Sequence, residues 1–97
     1  MAVIVCIKEE QLAVGAVPTQ IPLPLEENTR VLIFLADAGN TAEVFLGSST
    51  VSTAGAERGR PMSATDIGIV PIVGPSVESF YFIRGGAAQT VTVQQWG

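Results

Sequence analysis

The feature that most constrains this chain is a series of short apolar runs separated by turns rich in Gly, Pro, Asn and Asp. Residues 30–36 (RVLIFLA) form a continuous apolar run, which is typical of a strand covered on both faces. Residues 89–94 (QTVTVQ) instead alternate, with Val91 and Val93 on one face. No segment shows the 3.6-residue period of an amphipathic helix. The pattern therefore predicts an all-β chain, folded as a small antiparallel sandwich or barrel.

Further strands are predicted from β-branched and aromatic runs bounded by turn residues at 1–7, 42–46, 65–73 and 78–84. The DAGNT sequence at 37–41 is a typical turn and predicts a hairpin that joins the strands on either side of it. Residues 8–11 (KEEQ) are expected to be a polar break after the first strand, and Gly68 is expected to mark a bulge.

Prolines at positions 18, 22 and 24 predict an edge strand or an extended segment, because each lacks the amide donor that a central strand needs. The side chains that alternate inward, or that lie in fully apolar strands, define the expected core. They are Val31, Ile33, Leu35, Val44, Leu46, Ile67, Ile69, Phe80, Phe82, Val91 and Val93.

Composition indicates contacts with other chains. The 97 residues correspond to one domain, yet 47% are hydrophobic and only 14% are charged. A domain of this size leaves much of its surface in water, so some apolar surplus is expected at interfaces. A compact sandwich with a two-sided core is the alternative. The preferred prediction is a homo-oligomer, with no further domain in residues 1–97.

The net charge of −4 gives no attraction for phosphate backbones, so a nucleic-acid partner is not expected. No stretch approaches the roughly 20 apolar residues that span a bilayer, and no basic amphipathic helix or signal peptide is present, so no membrane partner is expected. Cys6 lies in a Val/Ile run and is expected to be a buried free thiol, consistent with assembly in a reducing cytoplasm.

Catalytic, cofactor and metal sites are not predicted. The chain has no histidine, which removes Ser-His, Cys-His and His-ligated metal arrangements. The paired carboxylates at 9–10 and 26–27 are neighbours on extended chain and point apart, so they suit acid–base catalysis poorly. Tyr81 and Trp96 could stack on a sugar, although a core or interface role is more common for such residues.

A long segment, residues 48–59, carries mostly small and polar residues and exceeds the 2–5 residues of an ordinary hairpin loop. Val51 is its one apolar side chain of any size, and Arg58 and Arg60 flank Gly59. We expect this segment to face another protein and not to stabilise its own core. The predicted partner-contact residues are Val3, Val5, Ser49, Val51, Arg58, Arg60 and Trp96.

The N-terminal segment leaves two alternatives open. Residues 1–7 are apolar on both faces, and the proline-rich stretch after them can span distance without holding a sheet together. Residues 1–20 are therefore either an ordinary start of the sandwich or an extended arm that adds to a neighbouring subunit.

Residues 21–93 resemble small accessory proteins of tailed-bacteriophage virions, of the capsid decoration (cement) or head-fibre type. The matching motifs are residues 40–47 (NTAEVFLG), the SSTVSTAG loop at 48–55, the Pro61-Met62 pair, residues 80–83 (FYFI) and residues 89–93 (QTVTV). The chain departs from this pattern at AERGR, which is more charged than the usual turn, and at residues 1–7, which have no counterpart.

This resemblance implies a jelly-roll or sandwich fold, no enzymatic activity and location in the virion. It implies a capsid decoration protein, often a trimer, that binds the major capsid protein or another virion protein. The alternative is a head-fibre or tail accessory module that binds a host receptor or carbohydrate.

Overall fold

A computed structural model of the chain describes residues 4–21, 26, 28–72, 81–86 and 88–97. These residues form eight strands and one short 3-10 helix at Gly55–Glu57. The strands are β1 (Cys6–Val14), β2 (Thr19–Gln20), β3 (Val31–Ala36), β4 (Val44–Gly47), β5 (Arg60–Met62), β6 (Ile67–Pro71), β7 (Tyr81–Arg84) and β8 (Gln89–Trp96).

The strands form two four-stranded antiparallel sheets. Sheet one has the order β1-β8-β3-β6, and sheet two has the order β2-β7-β4-β5. The chain pairs like a long hairpin rolled upon itself: β1 with β8, β2 with β7, β3 with β6 and β4 with β5. The additional pairs β3–β8 and β4–β7 complete the sheets. Eight strands paired in this way are the jelly roll, so the predicted all-β sandwich is confirmed. Among the described residues no strand pairs across the sheets, so the barrel is not closed.

The core lies between the inner faces of the two sheets. Phe34 of sheet one meets Phe82 of sheet two edge to face, with ring centroids 5.2 Å apart and planes at 81°. Both side chains are fully buried, and such aromatic pairs add stability beyond the area that they bury. The other buried core residues are Val14, Ile21, Leu32, Ala36, Val44, Met62, Val91 and Val93.

The predicted core was right for β4, β7 and β8 and wrong for β3 and β6. Val44, Phe82, Val91 and Val93 are buried, and Leu46 packs partly buried against them. In β3 the side chains of Val31, Ile33 and Leu35 point outward, because the alternate side chains face the core. Ile67 and Ile69 are exposed by 57% and 61%. Phe80 lies outside the described residues.

The expected hairpin between β3 and β4 is also wrong. The turn itself forms, since Asn40 N donates to Asp37 O at 3.1 Å and Gly39 N donates to the Asp37 carboxylate at 2.9 Å. However, this turn carries the chain from sheet one to sheet two, so the two strands do not pair.

Gly68 does not mark a bulge, because the β3–β6 register is continuous from Val31 to Leu35. Gly68 is buried directly opposite Phe34, and a Cβ there would lie 3.6 Å from the Met62 sulfur. The register shift occurs instead in β1, between Cys6 and Lys8.

The N-terminal segment pairs within its own chain. Strand β1 runs straight through the predicted polar break and pairs with β8 from Cys6 to Val14. Just before it, Val5 and Gly97 exchange two backbone hydrogen bonds of 3.0 and 3.1 Å. Residues 5–14 are therefore a strand of the sandwich and not an extended arm. Residues 1–3 of the proposed arm lie outside the described residues.

Cys6 is exposed, which corrects the expectation of a buried thiol. It lies on the outer face of an edge strand, opposite Trp96. The proline-rich segment does begin with an edge strand, since β2 is at the border of sheet two and Ile21 after it is buried.

Candidate interaction surfaces

The strand registers identify the side chains on the outer face of sheet one, because directly paired residues point to the same side of a sheet. Three cross-strand lines of outward side chains run over the sheet from β1 to β6. They are Cys6–Trp96–Val31–Pro71, Glu9–Gln94–Ile33–Ile69 and Gln11–Thr92–Leu35–Ile67.

The β3–β6 half of this face is apolar throughout. We call it the apolar strip; it consists of Val31, Ile33, Leu35, Ile67, Ile69 and Pro71. The three β3 residues are half-buried, and the three β6 residues are exposed. Contiguous exposed apolar surface of this kind marks sites of interaction. Sequence reasoning assigned most of these residues to the core, because both faces of β3 are apolar and periodicity could not choose between them.

The β1–β8 half of the same face is mostly polar. Glu9 and Gln11 on β1 are exposed, and Thr92 and Gln94 on β8 are half-buried. Trp96 is half-buried at the end of this half, where its indole N–H donates to Gln94 Oε1 at 3.0 Å. The face therefore combines an apolar area with a polar border, which is the usual anatomy of a protein interface.

Of the strands that the structure describes, β6 lies at one edge of sheet one and β1 at the other. Edge strands of soluble proteins are normally protected by charged side chains, strong bulges or a covering segment. None of the five residues of β6 is charged, and Pro71 at its end has no amide N–H to donate. This edge adds to the surface that a partner could cover.

A second surface is formed by the long segment at 48–59, which folds back on the outer face of sheet two. Ser52 N donates to Glu57 O at 2.9 Å, and Gly59 N donates to Ser52 O at 3.0 Å, so the loop closes on itself. Val51 is only 3% exposed and packs against Phe45 and Ile83. The prediction that this segment does not stabilise its own core is therefore wrong, because Val51 is buried; contact with another protein stays a prediction.

Close packing holds this loop in place. A Cβ at Gly59 would lie 2.5 Å from Val51 Cγ2 and 2.6 Å from the Leu46 carbonyl oxygen. A side chain at this position would displace either Val51 or strand β4. Ser49 remains exposed on the surface of the loop.

The two arginines of the loop region do not converge. Arg58 is exposed and stacks on Phe45, with its guanidinium carbon 5.4 Å from the ring centroid. Arg60 is in β5 opposite Leu46, on the face that carries the core, and it is exposed at the border of the sheet. The two side chains lie apart and do not form a joint anion site.

The predicted partner-contact residues thus fall into two groups. Ser49, Arg58 and Arg60 lie on sheet two and its loop, whereas Val5 and Trp96 lie at the β1–β8 end of sheet one. Val5 is 53% exposed, Val51 is buried within the chain, and Val3 lies outside the described residues. Tyr81 packs beside Phe45, Val51 and Ile83, on the opposite sheet from Trp96, so these two aromatic residues do not line a common cleft.

Among the residues that the structure describes, charged and polar groups form no convergent cluster that resembles a reaction centre. Lys8 Nζ lies 2.8 Å from a Glu10 carboxylate oxygen and 3.4 Å from one of Glu26, and the hydrogen bond that Lys8 donates to Glu10 raises the pKa of this lysine. Within the described part of the chain, no group of three or more Cys, Asp or Glu residues could hold a metal ion. A cleft of about 280 Å³ is lined by Asn40, Thr41, Ala42, Glu43, Ser63 and Ala64. These lining residues include no aromatic or basic side chain.

No protein-family model, curated protein or solved structure matches this chain significantly. Of the residues described, none belongs to a helix long and apolar enough to cross a membrane.

Proposed function

We propose that this chain is a structural protein of a bacteriophage virion, a capsid decoration protein that binds the assembled shell as an oligomer and stabilises it. The apolar strip carries the proposal, because it gives a small jelly roll a large uncharged surface suited to contact with other chains. The resemblance to virion accessory proteins implies that the partner is the viral shell and that the oligomer is a trimer. Viral capsid proteins also use the jelly roll, although the fold alone does not define a function.

The two surfaces suggest a division of roles. The apolar strip on sheet one suits contact between copies, since its side chains carry no charge that would select a different partner. The loop on sheet two presents polar groups and Arg58, and Arg60 in β5 is exposed at the border of the same sheet; both cations suit contact with acidic groups on the shell. Val51 holds this loop in one conformation, so little entropy is lost when a partner binds.

The test is binding to shells of the encoding phage that were assembled without this chain. We expect saturable co-sedimentation with a fixed number of copies per shell, and a higher temperature of shell disruption. Arg58→Ala and Arg60→Ala should weaken binding, whereas Lys8→Ala, a matched loss of charge on sheet one, should not. Absence of co-sedimentation at micromolar protein would reject the proposal.

A receptor- or carbohydrate-binding module is the second candidate, since lectin domains also adopt the jelly roll. A sugar site commonly needs an aromatic platform in a cleft, and here Tyr81 and Trp96 lie on different sheets. Saturable binding to a glycan array, together with no binding to shells, would replace the decoration proposal by this one.

A further inference from the structure

We infer that this chain forms a two-fold dimer edge to edge, in which strand β6 of one copy pairs antiparallel with β6 of a second copy. The two copies of sheet one then form a single continuous sheet. The inference goes beyond the proposed function, because it needs no shell and holds for the isolated protein. It rests on the direction of the backbone groups of β6, the position of Pro71 and the charges beside this edge.

The edge of β6 lacks the features that discourage pairing at the other described edges of the two sheets. β1 carries three consecutive charges at residues 8–10, β5 carries Arg60 and Pro61, and β2 is only two residues long. β6 has five uncharged residues, and its pairing with β3 continues without a bulge from Ile67 to Pro71. An edge strand of this kind is a template for pairing with another chain.

Hydrogen bonds at the two ends of the β3–β6 pair show which backbone groups of β6 face away from β3. At one end, Ala36 N donates to Asp66 O at 2.9 Å. At the other end, Ile72 N donates to Arg30 O at 2.7 Å. Because hydrogen-bonded pairs alternate along an antiparallel ladder, the even-numbered residues of β6 bond to β3. The N–H and C=O groups of the odd-numbered residues of β6 therefore point away from β3.

Pro71 determines the register of the dimer. Its nitrogen is on the side away from β3 and has no hydrogen, so Ile67 and Ile69 are the residues of β6 that offer N–H groups there. A two-fold axis perpendicular to the sheet at Gly68 pairs Ile67 of each copy with Ile69 of the other. Each of these N–H groups then meets a carbonyl, and Pro71 lies opposite Thr65, beyond the end of the other β6. An axis at Ile69 would instead place the Pro71 ring against the Ile67 carbonyl, where a strand needs a donor.

The side chains near this axis are compatible with pairing. Gly68, at the axis, has no side chain, and Met62 of its own copy packs against it. On the outer face, Ile67 of one copy lies beside Ile69 of the other, and such cross-strand apolar pairs stabilise a sheet. The charges of β1 at residues 8–10 lie three strands away from β6, so they do not meet across the axis.

Two exposed charges flank the axis on the inner side of the same border. Asp66 pairs with the buried Ala36 and so lies on the core-facing side of sheet one, next to the first residue of β6. Arg60 lies on the core-facing side of sheet two, at the far end of β5 from Met62. Both are exposed, and of the described residues none forms an ion pair with either.

The two-fold axis brings these opposite charges together. The chain reverses between β5 and β6 at a turn in which Asp66 N donates to Ser63 O at 2.9 Å. Asp66 therefore lies on the turn side of Gly68, and Arg60 lies on the other side. The axis exchanges the two sides, so each Asp66 meets the Arg60 of the other copy. Opposite charges across an interface fix register and orientation, and this geometry gives a dimer in place of the trimer that the resemblance implies.

The first test measures the mass of the purified full-length chain, with no shell present, by light scattering and sedimentation equilibrium. We expect a reversible dimer of twice the 10.1 kDa chain. A trimer, or a monomer at all concentrations up to about 200 μM, would overturn the inference.

A pair of variants separates the edge of β6 from its outer face. Ile69→Pro removes an N–H that points away from β3, so it should weaken the dimer about tenfold or more while unfolding stays cooperative. Ile69→Ala is the matched control, because it shortens the same outer side chain and keeps the N–H. It should weaken the dimer clearly less. Equal weakening by the two variants would overturn the inference, because the face and not the edge would then carry the contact.

Amide hydrogen exchange of the unaltered chain covers the case in which Ile69→Pro fails to fold. NMR at low and high protein concentration should show slower exchange of the Ile67 and Ile69 amides at the higher concentration. The amides of Gly68 and Val70, which bond to β3, should be protected at both concentrations. Unchanged exchange at Ile67 and Ile69, in samples that contain the dimer, would reject pairing through β6.

The register has its own test. Asp66→Asn keeps an acceptor for the Ser63 N–H, which donates to this side chain at 2.8 Å, but removes the charge. Asp66→Asn and Arg60→Gln should each weaken the dimer about 2- to 30-fold, for two exposed ion pairs per dimer. The double variant should be no weaker than the worse single variant, because both changes break the same pair. Glu9→Gln, on the distant β1, is the control for lost charge. Fully additive effects, or equal weakening by the Glu9 variant, would reject this register.

Discussion

At the scale of single residues, the choice of which face of β3 is buried decides which apolar side chains form the core and which form the apolar strip. The strand reads Val-Leu-Ile-Phe-Leu-Ala, so either set of alternate side chains is apolar enough for a core. The structure buries Leu32, Phe34 and Ala36. The edge-to-face contact between Phe34 and Phe82 provides a physical reason, since it forms only when the even-numbered residues of β3 face sheet two.

We therefore predict that Phe34→Ala and Phe82→Ala each lower the free energy of unfolding by about 3–5 kcal/mol, because each leaves a large cavity. Ile33→Ala, one residue away on the outer face, should cost about 1 kcal/mol. Urea unfolding at low protein concentration, where copies are dissociated, measures all three. A larger loss for the Ile33 variant than for the Phe34 variant would mean that the faces of β3 are reversed.

Buried polar residues show what local sequence could not predict. Gln95 lies on the inner face of β8, and its side-chain oxygen accepts from Glu26 N at 2.6 Å and Thr29 Oγ1 at 2.9 Å. Gln89 similarly accepts from Thr41 N at 2.9 Å. Both glutamines tie a distant turn to the last strand, which only a knowledge of the tertiary pairing reveals.

At the scale of elements, the loop at 48–59 shows that small polar residues can still form ordered structure. Its hydrogen bonds are internal, and its one substantial apolar side chain, Val51, covers Phe45 and Ile83 on sheet two. Sequence length and composition correctly marked this segment as unusual. The inward direction of Val51 depends on the close approach of Gly47 and Gly59, which the sequence alone did not reveal.

Val51→Ala is expected to destabilise the fold by about 1–3 kcal/mol, since it removes buried methyl groups from this small cluster. Ser49→Ala, in the same loop but exposed, should change stability by less than about 0.5 kcal/mol. Thermal and urea unfolding of the two variants test the difference. Deleting residues 49–56 should likewise destabilise the protein, and an unchanged unfolding midpoint after that deletion would show that the loop does not protect sheet two.

At the scale of the whole molecule, the jelly roll makes the two ends of the chain depend on each other. β1 pairs with β8 over its full length, and Val14 is buried in the core. Without β1, strand β8 would become the edge of sheet one, and Val91 and Val93 would lose part of their cover. Such pairing between distant segments also predicts slow folding, on the millisecond-to-second scale of other sandwiches.

Removal of residues 1–14 should abolish cooperative unfolding, because it removes the strand that pairs with β8. Near-ultraviolet circular dichroism of Trp96 and thermal denaturation report the outcome. A folded protein after this truncation, with an unchanged midpoint, would show that β1 contributes nothing to the sandwich.

Local sequence by itself determined that this chain is all-β, where most strands lie and where the turns fall. The alternation in β8 and the carboxylate of Asp37 in its turn depend on interactions within a few residues, so periodicity and composition suffice to predict them. Exposed apolar side chains are present on β6, and the contact with other chains that the apolar surplus predicts stays a prediction.

Only the tertiary structure decided which strands pair, which face of β3 is buried and where the surplus apolar surface lies. These properties depend on partners far apart in the chain, such as Cys6 with Trp96 and Phe34 with Phe82. A strand that is apolar on both faces satisfies local rules in either orientation. Its packing against the opposite sheet is what selects one orientation, and this choice turned residues predicted as core into the apolar strip.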